Sequence, residues 1–226
     1  MLTLYTSVGL LKLNKESDYT YPSIFNNQRE HSLDPPEMLI WSSLSFHFLT
    51  FPELKKHFEQ QSEKLSLQVP YSFEHYARRL LFRGLIIKGE GLTYTDALYN
   101  LLGNLYIVPL NAAFHMKLFS GLRLMLKRQL NISQLKHSLF QKPKISPVEK
   151  LILNYTREAA LSTAELLQYF DSNKTQNIKQ YVSTLSSGKM TCDELKQHVH
   201  TEYIQHPLLF SISNLYMQKQ ILFRTL

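Results

Sequence analysis

Residues 71–102 read YSFEHYARRLLFRGLIIKGEGLTYTDALYNLL, and this stretch decides the predicted fold. Its first part predicts a helix, because apolar residues recur at the spacing of one buried helical face. These residues are Phe73, Tyr76, Ala77, Leu80 and Leu81. Gly84 follows at the point where a helix end favours a left-handed residue, which glycine supplies at low cost. We therefore expect the helix to end there.

A tight hairpin and a second helix are predicted next. Residues 85–87 and 92–94 flank Lys88-Gly89-Glu90-Gly91, and a glycine at the first central position suits a type II′ turn. Thr95 and Asp96 can cap the following helix. Its apolar side consists of Ala97, Leu98, Leu101 and Leu102.

The order of helix, hairpin and helix, with Arg83-Gly84-Leu85-Ile86 at the boundary, resembles the bacterial winged-helix (helix-turn-helix) DNA-binding proteins. The resemblance implies that the helix from Phe73 to Arg83 is a recognition helix and that the hairpin is a wing. In many members of these families a long helix after the wing forms a dimer, so the resemblance also implies a homodimer. Winged helices also serve as protein-binding modules, so it identifies a fold better than a function.

We expect a mainly α protein with a small β-hairpin wing, built from tandem winged-helix or helix-turn-helix modules that a basic helix joins. The predicted segments are an N-terminal strand and loop segment (1–35), a winged-helix module (36–110), a basic connector (111–145) and a second, helical helix-turn-helix-like module (146–226). Capping boxes at Thr50–Glu53 and Ser146–Glu149 predict two helix starts. Further helices are expected from Ser162 to Phe170, Thr175 to Ser187 and Pro207 to Phe223.

The positive charge of the chain is concentrated in the connector. No Asp or Glu occurs between Ala97 and Val148, whereas seven Lys or Arg residues lie within 111–145 and the whole chain has a net charge of +7. Such a segment attracts a polyanion through phosphate neutralisation and counterion release. The candidate phosphate contacts are Lys117, Arg123, Lys127 and Arg128, opposite an apolar arc in a predicted helix. A solvated basic face without a ligand and a membrane-surface helix are the alternatives.

Two predicted helices carry candidate DNA-reading side chains. The first presents His75, Arg78, Arg79 and Arg83, with Lys88 on the wing beside it. The second, in the second module, presents Gln176, Asn177, Lys179 and Gln180. Arginine, asparagine and glutamine side chains can make bidentate contacts with base edges. Alternatively, Arg78 or Arg79 pairs with Glu74, and the amides are ordinary solvent-facing residues.

Catalytic and metal chemistry have little support in the sequence. The common nucleotide-binding, hydrolase and zinc-protease motifs are missing, and a single cysteine, Cys192, excludes an internal disulfide. We interpret His198, His200, Glu202 and His206 as a polar helix face. No apolar run is long enough to span a bilayer, and the first residues lack the layout of a signal peptide. We expect a cytoplasmic protein that is not an enzyme and has no cofactor, no metal site and no membrane contact.

These observations predict a DNA-binding transcriptional regulator that binds duplex DNA through a winged helix and a basic connector. Two alternatives remain, namely a plasmid or chromosomal replication or partition initiator and a non-enzymatic protein-protein scaffold built on winged-helix modules. The connector without acidic residues favours the two nucleic-acid roles, because a scaffold does not need it.

Overall fold

The computed structural model describes residues 1–16, 19–110, 145–172 and 207–225 of the chain. Seven strands and seven helices lie within these residues. In chain order they are β1 (Leu2–Ser7), β2 (Leu10–Glu16), β3 (Tyr19–Asn26), β4 (Arg29–Ser32), α1 (Pro35–Leu44), α2 (Phe51–Lys64), α3 (Phe73–Phe82), β5 (Ile86–Gly91), α4 (Tyr94–Leu102), β6 (Tyr106–Pro109), α5 (Pro147–Glu158), α6 (Thr163–Ser172), α7 (Pro207–Met217) and β7 (Ile221–Arg224).

The strands form three small antiparallel sheets. Strand β1 pairs with β5, β3 lies between β2 and β4, and β6 pairs with β7. The chain is therefore mixed α/β, and the expectation of a mainly α fold of tandem modules with a hairpin wing is wrong. Much of the difference lies in the N-terminal segment (1–35). Four strands form there instead of the expected strand and loop. Asn27 and Gln28, both with positive φ, form the two-residue turn between β3 and β4.

The predicted wing is a single strand. Residues Lys88 to Gly91 lie inside β5, and Gly89 is the register partner of Leu4 on β1. Helix α4 follows almost at once, capped by Thr93 rather than by the expected Thr95 or Asp96. A side chain on Gly89 would overlap the backbone of α4, and so would one on Gly91. The two glycines thus permit close packing of a helix on a strand rather than a turn.

Three helix starts and one helix end that local signals predict are confirmed. Helices α2 and α5 begin at the two predicted capping boxes, and α6 follows Ser162. Helix α3 begins at Phe73 and ends in a Schellman motif. There Gly84 has a φ of +63°, and the Leu85 amide donates to the Leu80 carbonyl at 3.0 Å.

Helix α7 is shorter than predicted. It ends at Met217, and after a left-handed turn at Lys219 the chain continues as β7, which pairs with β6. The prediction that this helix continues to Phe223 is wrong for the residues after Met217, because the last apolar residues are buried in a strand instead. The predicted connector helix and the predicted helix at 175–187 lie outside the described residues. The division into four segments stays a prediction.

A single buried cluster contains residues from β1 to β3, from α1 to α4 and from the C-terminal elements. Tyr216 of α7 lies at its centre, and its hydroxyl is 2.9 Å from the Thr6 hydroxyl of β1. Phe46 and Phe223 pack on the Tyr216 ring with centroid separations of 5.4 Å and 4.7 Å. The two ends of the chain therefore share one core.

Candidate nucleic-acid interface

Helix α3 is anchored on one side by aromatic packing. Phe73 at its start has ring centroids 5.1 Å from Phe51 and 5.3 Å from Phe58. Ser72 caps the helix by accepting a hydrogen bond from the His75 amide at 3.3 Å. The buried residues Tyr76 and Leu80 continue the inner face, so the opposite face of α3 points into solvent.

The solvent side of α3 carries four large side chains in line, which we call the outer stripe. Its members are Tyr71, His75, Arg78 and Phe82, with Tyr71 just before the N-cap. At 100° per residue its three helical members lie within roughly 60° of arc, opposite the buried face. Phe82 is 93% exposed and Tyr71 is 58% exposed. The stripe thus combines two exposed aromatic rings, an imidazole and a guanidinium.

Two rings of the outer stripe are already stacked. The rings of Tyr71 and His75 have centroids 4.7 Å apart and an interplanar angle of 26°. Tyr76 meets both rings edge-on, at 6.1 Å and 5.8 Å. Tyr71 therefore packs against two neighbouring rings although the residue is 58% exposed.

Arg79 and Arg83, both predicted to read DNA, are engaged by a buried carboxylate of α1. One guanidinium nitrogen of Arg83 donates to Glu37 Oε2 at 3.1 Å, and another donates to the Ser32 carbonyl at 2.6 Å. Arg79 Nε lies 3.2 Å from Glu37 Oε1, and Arg79 Nη1 donates to Asp34 Oδ2 at 3.2 Å. The Arg79 Nε contact is an ion pair without hydrogen-bond alignment, because Glu37 Oε1 accepts no hydrogen bond.

This cluster joins α1 to α3. The Glu37 side chain is only 1% exposed, and it also completes the capping box of α1 by accepting from the Asp34 amide. A buried carboxylate needs paired cations, because an isolated charge in a core is strongly destabilising. Arg79 and Arg83 therefore stabilise the fold by pairing with Glu37, although 41% and 24% of their side chains remain exposed.

The two remaining predicted DNA contacts near α3, Arg78 and Lys88, differ in their partners. Arg78 is exposed, and no hydrogen bond or ion pair joins it to another residue that the structure describes. Lys88 donates to Glu90 at 2.7 Å, and this bond raises the pKa of the Lys88 ammonium, with the Glu90 charge as the second cause. The Glu90 carboxylate offsets the charge of Lys88, whereas the charge of Arg78 is available to a ligand.

The other predicted contacts are outside the described residues. They are Lys117, Arg123, Lys127 and Arg128 of the connector and Gln176, Asn177, Lys179 and Gln180 of the second module. Sequence reasoning missed Tyr71 and Phe82 as members of the exposed face. The helical period could have found Phe82, because it falls opposite the apolar residues of α3.

Among the residues described, none form a group of three His, Cys, Asp or Glu side chains placed to hold a metal ion. The helices in these parts of the chain lack the combination of length and apolar character that crossing a bilayer requires. A cavity of about 260 Å³ lies between the β3–β4 turn and β7, with both apolar and polar walls and with Arg224 as its charged lining residue. Comparison of the chain with protein-family models, curated proteins and solved structures found no match.

Proposed function

We propose that this chain is a nucleic-acid-binding protein without catalytic activity, with contacts supplied by the outer stripe of α3 and by the basic residues of segment 111–145. The observation that carries the proposal is Arg78, an exposed guanidinium that lies between exposed rings and lacks a partner among the described residues. Exposed aromatic rings beside arginine are typical of surfaces that bind nucleic acid.

The charge distribution supports the same proposal. Seven basic and no acidic residues in segment 111–145 provide attraction that does not depend on the nucleotide sequence. On α3 itself, Glu74 is neutralised by Lys55, whose ammonium lies 2.7 Å from its carboxylate. A polyanion approaching the outer stripe therefore meets no uncompensated carboxylate on that helix.

Two cellular roles are compatible with such a protein. One is transcription regulation on duplex DNA, and the other is initiation of replication or partition. A genomic footprint separates them, since a regulator occupies scattered promoters and an initiator occupies an origin. The homodimer implied by the winged-helix resemblance belongs to the same proposal, and sedimentation of the purified protein tests it.

The test of nucleic-acid binding is a salt titration of the affinity for labelled oligonucleotides. We expect the logarithm of the binding constant to fall linearly with the logarithm of salt concentration. Replacing Arg123, Lys127 and Arg128 with Glu should weaken binding and lower the slope. The matched control replaces Lys64, Lys150 and Arg157, all exposed residues of α2 and α5, with Glu and so changes the net charge equally. Equal losses in the two triple variants would leave no role for the connector.

A protein-binding scaffold is the second candidate, favoured by apolar side chains at one end of the β1–β5 pair. Met1 is 84% exposed and Leu92 is 87% exposed, and both flank the register pair of Leu2 and Gly91. If the chain is a protein-binding scaffold, the oligonucleotide titration should show no salt-dependent binding.

A further inference from the structure

The outer stripe contains aromatic rings, which the attraction of a polyanion by positive charge does not require. The Tyr71 and His75 rings form a stack before any ligand arrives, and Phe82 presents an almost fully exposed ring about two helical turns further along. The axial distance from His75 to Phe82 is about 10 Å at 1.5 Å per residue. This length matches about three base-stacking steps of roughly 3.4 Å. Arg78 lies between these rings along the helix.

Ring faces can stack on a nucleobase only when the face of that base is uncovered. In a duplex each base already stacks on its neighbours, and the major groove offers only base edges to hydrogen-bonding side chains. Among Arg78, Arg79 and Arg83, only Arg78 lies in the outer stripe, whereas Arg79 and Arg83 form ion pairs with Glu37. The stripe is therefore poor at reading base edges and well suited to stacking.

We infer that the outer stripe of α3 is a binding site for unpaired nucleic-acid strands. Bases extend the Tyr71–His75 stack and cover the Phe82 ring, and Arg78 pairs with the phosphates between them. Single-strand binders combine these two elements, namely aromatic stacking platforms and a cationic track for the backbone. This inference rests on the proposed function and specifies its ligand as a strand with exposed base faces, DNA or RNA.

Charge complementarity favours a nucleic acid over other occupants of this face. The one acidic side chain of α3, Glu74, is held by Lys55, and the chain as a whole carries a net charge of +7. The order of ring, cation and ring along the stripe matches the alternation of base and phosphate along a strand.

The first measurement compares affinities for labelled oligothymidine, oligouridine and a blunt duplex of equal length, using the full chain at one salt concentration. We expect both single strands to bind more tightly than the duplex. Phe82→Ala and Tyr71→Ala should each weaken single-strand binding at least about fivefold, since a stacked base contributes that much or more. Duplex affinity should change little. Leu92→Ala, which removes another exposed apolar side chain, is the matched control and should bind as the wild type does.

A second measurement reports stacking directly and does not depend on a loss of affinity. Trp41, the single tryptophan of the chain, is buried at 2% exposure, so the indole of a Phe82→Trp variant supplies a separable solvent-exposed signal. Single strands should quench this signal and the duplex should not. Arg78→Ala should lower the slope of the salt dependence by about one unit and keep the quenching.

The outcomes separate the inference from the proposed function. Duplex binding as tight as single-strand binding, or wild-type affinity in Phe82→Ala, would overturn the stacking site and leave a charge-driven nucleic-acid binder. Absence of binding to all three probes would overturn both.

Discussion

Arg78, Arg79 and Arg83 lie within two turns of α3, yet their charges have different surroundings. Arg78 is exposed, while the other two form ion pairs with the Glu37 carboxylate, which belongs to α1 and is almost fully buried. Removing Arg78 therefore deletes a proposed ligand contact, whereas removing Arg83 leaves a buried carboxylate with fewer partners.

We expect Arg83→Ala to lower the free energy of unfolding by about 1–3 kcal/mol, because a buried charged acceptor loses a hydrogen bond. Arg78→Ala should stay within about 0.5 kcal/mol of the wild type, as exposed substitutions usually do. Urea denaturation of both variants measures the difference. Arg157→Ala on α5 is the matched control for loss of an exposed arginine. Equal stability of Arg83→Ala and Arg78→Ala would show that Glu37 does not need its second cation.

Buried phenols make the folded state sensitive to alkali. Burial raises the pKa of Tyr99 far above its usual value, and it raises the pKa of Tyr216 although a hydrogen bond with Thr6 opposes the change. A raised folded-state pKa stabilises the fold fully below the ordinary value of about 10. That stability is lost as pH increases through and beyond this value.

We therefore expect the urea midpoint to fall steadily as pH rises above about 10. Tyr99→Phe should flatten this fall, because the variant has one phenol fewer that ionises only in the unfolded chain. Leu92→Ala, which alters an 87% exposed side chain that does not titrate, is the control and should leave the profile unchanged. A Tyr99→Phe profile parallel to the wild type would contradict this assignment.

At the scale of elements, the unit of β1, β5 and α4 replaces the predicted wing. The α4 backbone lies directly on the two glycines of β5, and the Asn100 amide donates to the Glu90 carbonyl at 2.8 Å. Strand and helix thus form one packed layer whose spacing depends on the absence of side chains at two positions.

Gly89→Ala should cost at least about 1–3 kcal/mol of unfolding free energy, because its Cβ meets backbone that cannot rotate away. Gly84→Ala should cost only about 1 kcal/mol, since its φ of +63° is strained for alanine but no atom lies within 4 Å of the new Cβ. Thermal or urea unfolding compares the two variants. A smaller cost at Gly89 than at Gly84 would indicate an open turn at Gly89 and refute the packed layer.

Local signals account for what the sequence predicts well at this scale. A capping box specifies the start of α2, and Gly84 specifies the end of α3, because both depend on a few neighbouring residues. The partner of β5 is far away in the chain, so local signals alone predict a turn at the glycines of residues 88–91. The exposure of Phe82 follows from the helical period, but the burial of Glu37 does not, since it depends on how α1 packs on α3.

At the scale of the whole molecule, the C-terminal elements complete a core that begins at β1. The Tyr216 hydroxyl lies 2.9 Å from Thr6, and the Gly9 amide donates to the Phe223 carbonyl at 3.0 Å. Rings from the segment before α2 also pack on Tyr216, among them Phe48 with a centroid separation of 5.2 Å. The first half of the chain therefore depends on the last twenty residues for its interior.

A chain that ends at residue 206 should lack a cooperative unfolding transition, because Tyr216 and Phe223 are removed from the centre of the core. Tyr216→Phe in the full chain should be milder, at about 1–2 kcal/mol, since it deletes the hydroxyl and keeps the ring. Circular dichroism during heating measures both. A truncated chain that melts sharply at the wild-type temperature would show that the N-terminal elements fold without the C-terminal ones.

The contact between Thr6 and Tyr216 also has a consequence for synthesis. The two residues are 210 positions apart, so a ribosome adding about 5–20 residues per second produces them roughly 10 to 40 s apart. Throughout that interval the nascent chain contains the Thr6 hydroxyl and the Leu44 carbonyl, but it lacks the Tyr216 hydroxyl that later contacts both groups. The synthesis of α7 and β7, rather than that of β1, therefore determines when the interior of the described core closes.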